Sequence, residues 1–223
     1  MSVEIQYTPA EEVAHSISHG IGLLLSIAGL IWMLSISVSA SDEWRILASC
    51  IYGASLIALF LSSTLYHSFH TSQHRHLLKL LDHCAIYLLI AGSYTPFLLV
   101  AMRTALGWWL FAAIWSLAIV GIITKLCFRH RYPRWSMASY LLMGWLVIIA
   151  GPQVIAATGN QCVAWLVAGG LAYTVGAAFY MRKTMRFNHA IWHAFVLLGA
   201  ACHFLAVTGY VLPVRPSVAG GGA

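Results

Sequence analysis

An all-α, polytopic membrane protein, a bundle of seven transmembrane helices, is the fold class this sequence predicts. Three observations carry it. Of the 223 residues 61% are hydrophobic and only 8% are charged, against about 25% charged in a soluble domain, so the lipid bilayer has to serve as solvent for most of the chain. Apolar runs of about 20 residues, the length that crosses the hydrocarbon core as a helix, recur along its whole length. Lysines and arginines fall in the short links between those runs, where they read as topology signals and not as a nucleic-acid footprint despite a formal charge of +6.

In chain order, residues 1–19 form a cytoplasmic segment. They lack a basic stretch followed by an apolar core, so no cleavable signal peptide is expected and the first span directs insertion. That span covers residues 20–40, the second 44–68, the third 80–101 and the fourth 106–128. The fifth covers 135–157, the sixth 162–181 and the seventh 189–212, and 213–223 is a flexible tail. The whole of 1–223 is one membrane domain, since the links are too short for a second. Trp44, Trp108, Trp109 and Trp135 near span ends fit interfacial belts. The five cysteines are far apart inside apolar runs and read as small buried packing residues, with neither disulfides nor a thiolate metal site.

Seven spans put the N-terminus on the same side as the links after spans two, four and six. That side holds Arg75, Lys79, Lys125, Arg129, Arg131, Arg134, Arg182, Lys183 and Arg186, and the other only Arg45, Arg103 and Arg215. Nine against three places the N-terminus in the cytoplasm and the C-terminus outside.

Ionisable groups inside spans are costly and are functional candidates by default. Asp82 opens span three in LLKLLDHCAIYLL, where an aspartate at mid-membrane costs roughly 2.5–3.5 kcal/mol and a partner is expected. Span seven opens with NHAIWHAF, so His189 and His193 stand one turn apart on one helix face. Span two closes with SSTLYHSF, in which Ser63 and His67 are also one turn apart. The alternating topology brings His67, Asp82, His189 and His193 to the same cytoplasmic depth, an agreement that the count of basic residues did not use. Three neutral imidazoles and one open position describe a catalytic zinc, which brings bound water to a pKa of about 7. Asp82 would orient or deprotonate that water, and the Ser63 hydroxyl would bond it or a developing oxyanion. The plainer alternatives are an interhelical hydrogen bond for Asp82 and small-residue packing for Ser63, and another imidazole-binding metal is not excluded.

The remaining histidines read differently. His70, His74 and His76 belong to a solvated link, and His130 to a basic one. His83 points about 100° away from Asp82. His203 lies about 15 Å beyond His193 along the helix, too far to share a metal, and reads as an interhelical hydrogen-bonding residue. His15 and His19 precede span one and either cover the site or cap the helix.

Over residues 11 to 212 the sequence resembles the bacterial hemolysin III proteins. The motifs that carry the resemblance are EEVAHSISHGIG, SSTLYHSF, LDHCAIYLLIAGSYTPF and NHAIWHAFVLLGAACHF. That family is grouped with the progestin and adiponectin receptors and, more distantly, the alkaline ceramidases. The resemblance implies zinc held by His67, His189 and His193, Asp82 beside the metal-bound water and Ser63 in support. It also implies a small amide residue at position 15, where this chain has histidine. The function expected is zinc-dependent hydrolysis of an amide in a lipid-like substrate at the cytoplasmic side. The alternatives are a non-catalytic regulator or sensor of the membrane with a structural zinc and, with less physical support, a pore-forming hemolysin. No nucleic-acid partner is expected.

Overall fold

The structure, a computed structural model, describes residues 7–128 and 133–214. The expected features at Arg129, His130, Arg131, Arg215 and most of the tail lie outside the described residues. Among the described residues there are helices and no strands, and seven helical stretches are long and apolar enough to cross a membrane. They comprise α1 (Pro9–Ser39), α2 (Glu43–Ser68), α3 (Arg75–Pro96, extended by a π turn over Phe97–Ala101) and α4 (Ala105–Phe128). Then come α5 (Pro133–Trp145) and α6 (Gly151–Thr158), which together make the fifth span, α7 (Asn160–Met181) and α8 (Asn188–Tyr210). Consecutive spans run back and forth. The start of α1, the end of α2 and the starts of α3 and α8 therefore meet at one end of the bundle. The outer surface is apolar, with Leu24, Trp109 and Leu142 largely exposed, as a lipid-facing surface requires.

Helix α1 begins at Pro9 rather than near residue 20. Thr8 caps it, its hydroxyl accepting from the Glu11 amide while the Glu11 carboxylate accepts from the Thr8 amide, and Pro9 fills a position that needs no amide donor. The polar residues that end the apolar run do not end the helix, because they face the interior. Glu12, His15, His19, Gly22, Ser26, Gly29, Met33 and Ser37 recur every three or four residues and are all buried, against α2 and α8. At the opposite end Asp42 caps α2 through the Trp44 amide and pairs with Arg103.

The fifth span, expected as one helix over 135–157, is broken by a 3₁₀ stretch over Leu146–Ala150. Pro152 has no amide to donate and its ring crowds the carbonyl of Ile148. A side chain from α3 repairs the break: the Tyr94 hydroxyl donates to the carbonyls of Met143 and Gly144, 2.9 Å from each, and accepts from the Val147 amide at 2.8 Å. Of the five cysteines, Cys84, Cys162 and Cys202 are buried as expected, but Cys50 and Cys127 face outward. Outward positions on a span meet lipid, where a thiol is as acceptable as in a core.

Candidate metal centre

Each residue at the meeting point of α1, α2, α3 and α8 is held there by its helix face. His67 lies in the last turn of α2, and His189 and His193 in the first two turns of α8. All three are buried, and one ring nitrogen from each falls within 4.8 Å of the others. The Nε2 atoms of His67 and His189 are 3.2 Å apart. Two nitrogens bound tetrahedrally to one zinc at 2.0–2.1 Å stand about 3.3 Å apart, so this separation is compatible with two ligands of one metal ion as well as with a hydrogen bond.

The hydrogen bonds around the rings select the tautomers. The Nδ1 of His67 meets Glu12 Oε2 at 2.6 Å. An ionised carboxylate only accepts, so the proton sits on Nδ1 and the lone pair on Nε2. The Nδ1 of His193 faces the carbonyl oxygen of His15 at 3.3 Å and the Ser18 hydroxyl at 3.2 Å. The Ser18 hydroxyl already donates to that same carbonyl, so both neighbours accept and His193 likewise offers Nε2. These are the carboxylate and carbonyl supports that metal-bound histidines use. The ring nitrogens of His15 and His19 and the Nδ1 of His189 are buried without a hydrogen-bond partner. Buried polar atoms are rarely left so, and a cation or water at the centre answers several of these vacancies. The residues present thus fit a metal ion.

Asp82 is buried and faces the Ser63 hydroxyl. With His19, His189 and His193 these two residues line a cavity of about 140 Å³ whose other walls are mainly apolar, among them Leu89, Ile90, Trp192 and Val196. The cavity reaches His203, which packs against Gly169 and Tyr173. His203 is therefore a wall residue of the same space, although too distant for the metal. His83 also lines it, and its Nδ1 approaches Asp82 Oδ2 at 3.7 Å while donating to the Lys79 carbonyl at 2.7 Å. Its side-chain torsions bring it nearer to Asp82 than the angle between their Cα–Cβ bonds suggests. His74 and His76 stay exposed, and His70 bonds the carbonyl of His67 at the end of α2.

The start of α1, expected either to cover the site or to cap the helix, lies directly against it. His15 packs against the rings of His67, His189 and His193 at centroid distances of 4.5, 4.7 and 5.3 Å, and His19 stacks on His193 at 3.5 Å. Glu12 was expected only as part of that segment, with no role of its own. The available signal was the spacing of Glu12, His15 and His19, which continues the buried stripe of α1 backward beyond the apolar run. Glu12 Oε1 also lies 3.7 Å from Arg75, and Glu12, His15 and His67 form a second group whose ligand atoms are close together. Tyr7 adjoins His15, and burial chiefly raises its phenol above the ordinary range. Lys183, in the link between α7 and α8, is pushed down to about 8 by burial and by the charge of Lys79.

The family model described as Haemolysin-III related matches residues 7–204. Hemolysin-3 of Bacillus cereus is 47% identical over 203 residues, covering 91% of this chain and 93% of that protein. The Hemolysin-3 homolog of Bacillus subtilis (strain 168) is 43% identical over 208 residues, covering 93% and 98%. The human Monocyte to macrophage differentiation factor is 30% identical over 220 residues, covering 92% and 87%. No solved structure matches.

Proposed function

The chain belongs to the haemolysin-III related family, and on that footing we propose that it is a zinc-dependent hydrolase of an amide in a lipid-like molecule, acting at the cytoplasmic face of a bacterial inner membrane. The observation that carries the reading is the convergence of His67, His189 and His193, the last two of which line a mainly apolar cavity together with Asp82 and Ser63. Zinc bound by those three imidazoles supplies Lewis acidity toward a carbonyl and lowers the pKa of water.

The protein's own groups do the rest. Glu12 holds the Nδ1 proton of His67, and the His15 carbonyl that of His193, so both Nε2 atoms stay available. The Asp82 carboxylate takes a proton from the attacking water and returns it to the departing nitrogen. The Ser63 hydroxyl donates to the oxygen on which negative charge develops. Apolar walls hold a hydrocarbon chain and keep bulk water from competing. The nine-to-three distribution of basic residues supports the cytoplasmic assignment.

Metal content by mass spectrometry on detergent-purified protein tests the centre. One zinc per chain, lost in His193→Ala, is expected, followed by release of free amine from lipid amides by the zinc-loaded wild type. Folded wild type that is purified without chelator and carries no metal overturns the reading.

A second reading is supported by the way the ligands join α2 to α8 while α1 packs on both: zinc as a brace in a non-catalytic regulator of the membrane. Asp82→Asn separates the two, since it spares metal and fold in either case and abolishes function only if Asp82 moves protons. A lytic pore, which the name of the Bacillus cereus relative suggests for that protein, has less support, because the polar groups gather at one end of the bundle.

A further inference from the structure

Lys125 is a buried cation that the proposed reaction leaves unused. It occupies the last turn of α4 and is only 3% exposed. The buried residues of α4 are Gly107, Ile114, Ala118, Gly121 and Lys125. Their spacing places Lys125 on the inward stripe, so the helix directs it into the bundle. A lysine near a span end ordinarily extends its ammonium to the membrane surface. Here it lines the inner cavity with Asp82, His83 and Tyr140, and also an outer groove of about 580 Å³ between α4 and α5. Lys125 and Ser136 are common to both spaces. Its side chain is thus almost wholly enclosed, at the place where the inner cavity and the outer groove adjoin.

Two further lysines stand nearby. Lys79 on α3 lies within electrostatic reach of both Lys125 and Lys183, and the Lys183 ammonium sits 3.4 Å from the ring centroid of Tyr180, another wall residue. Lys125 is the one lysine and Asp82 the one carboxylate among the residues that line the cavity, with Lys79 and Lys183 standing outside its lining. The rest of the lining is mostly hydrocarbon and aromatic. A buried lysine at the edge of a mainly apolar cavity is complementary to an anionic head on an apolar tail. The groove, walled by Leu117, Val120, Phe128, Trp135 and Leu142, opens on the lipid-facing side of the bundle, which favours a membrane source over a free anion.

We propose that Lys125 is the headgroup-binding residue of this cavity, holding the phosphate or carboxylate of a single-chain amphiphile whose tail lies along Leu89, Ile90 and Val196. The proposal rests on reading the cavity as the substrate site, but not on hydrolysis taking place there.

Thermal unfolding of the purified full chain in maltoside micelles tests it. The probes are dodecyl phosphate, dodecylphosphocholine and inorganic phosphate, with zinc content measured on each sample. Dodecyl phosphate raises the wild-type Tm in a saturable way, and the other two do not. Lys125→Met weakens that apparent affinity about tenfold or more, as loss of a charge-assisted bond implies, and Lys125→Arg restores it. Equal response to dodecyl phosphate and dodecylphosphocholine, or a full shift with inorganic phosphate alone, overturns the assignment in the wild type even if Lys125→Met fails to fold. So does unaltered affinity in a folded Lys125→Met. Folded wild type that is purified without chelator, carries no zinc and still binds dodecyl phosphate defeats the hydrolase reading while leaving this one standing.

Discussion

At the scale of single residues, the chemistry of the centre depends on where protons sit. A histidine offers a metal one nitrogen, and the partner of the other decides which. Glu12 makes that decision for His67 across 2.6 Å, from a position where it is 3% exposed and also faces Arg75. Glutamine at position 12 still accepts from Nδ1 but carries no charge, so it makes the imidazole a poorer donor to a cation. Support of this kind typically contributes 10- to 100-fold to metal affinity. Glu12→Gln is therefore expected to weaken zinc binding about tenfold, and Glu12→Ala more, in competition titrations against a chromophoric chelator. An unchanged dissociation constant in folded protein would reduce Glu12 to a helix-packing residue. Histidine pairs and a lone intramembrane aspartate are visible in a linear sequence because their spacing and rarity mark them, which is why His67, Asp82, His189 and His193 were legible. Glu12 was not, because its role depends on a contact with a residue 55 positions away. Hydropathy alone makes EEVAHSISH look like a solvated leader.

At the scale of elements, the spans were legible from apolar length, whereas their ends and interruptions were not. Helix α1 extends backward because its polar residues fall on the buried stripe. The fifth span breaks because Pro152 withdraws a donor and α3 supplies Tyr94 to the freed groups. The hydroxyl of Tyr94 serves the carbonyls of Met143 and Gly144 and the amide of Val147 at once. Removing that oxygen leaves groups unsatisfied where water cannot readily replace it, at about 1–3 kcal/mol. Tyr94→Phe should accordingly lower the Tm in detergent while leaving zinc content unaltered, since Tyr94 touches no residue of the centre. A Tm equal to wild type would mean that water or a local shift of the 3₁₀ turn satisfies the break without the tyrosine.

At the scale of the whole molecule, the candidate ligands come from α2 and α8, which are adjacent to α1 in space and far apart in sequence. A cation bound by His67, His189 and His193 cross-links the early and late parts of the chain, and any ligand that binds only the folded state stabilises it by mass action. At a free concentration one hundred times the dissociation constant the gain is about 2.7 kcal/mol. Chelation is therefore expected to lower the Tm of the wild type, and readdition of zinc to restore it. His193→Ala should respond to neither, because its centre has lost a ligand. Asp82→Asn carries the decisive contrast, since it keeps all three imidazoles and should show the same chelator-dependent drop as wild type. If that variant retains the drop but releases no amine from lipid amides that the wild type cleaves, the zinc is catalytic and its bracing effect is incidental. If the wild type shows the drop and cleaves nothing, the cross-link between α2 and α8 is what the metal contributes, and the cavity behind it serves recognition. A wild type whose Tm ignores chelator, with zinc demonstrably removed, would uncouple the centre from stability and leave the brace without physical content.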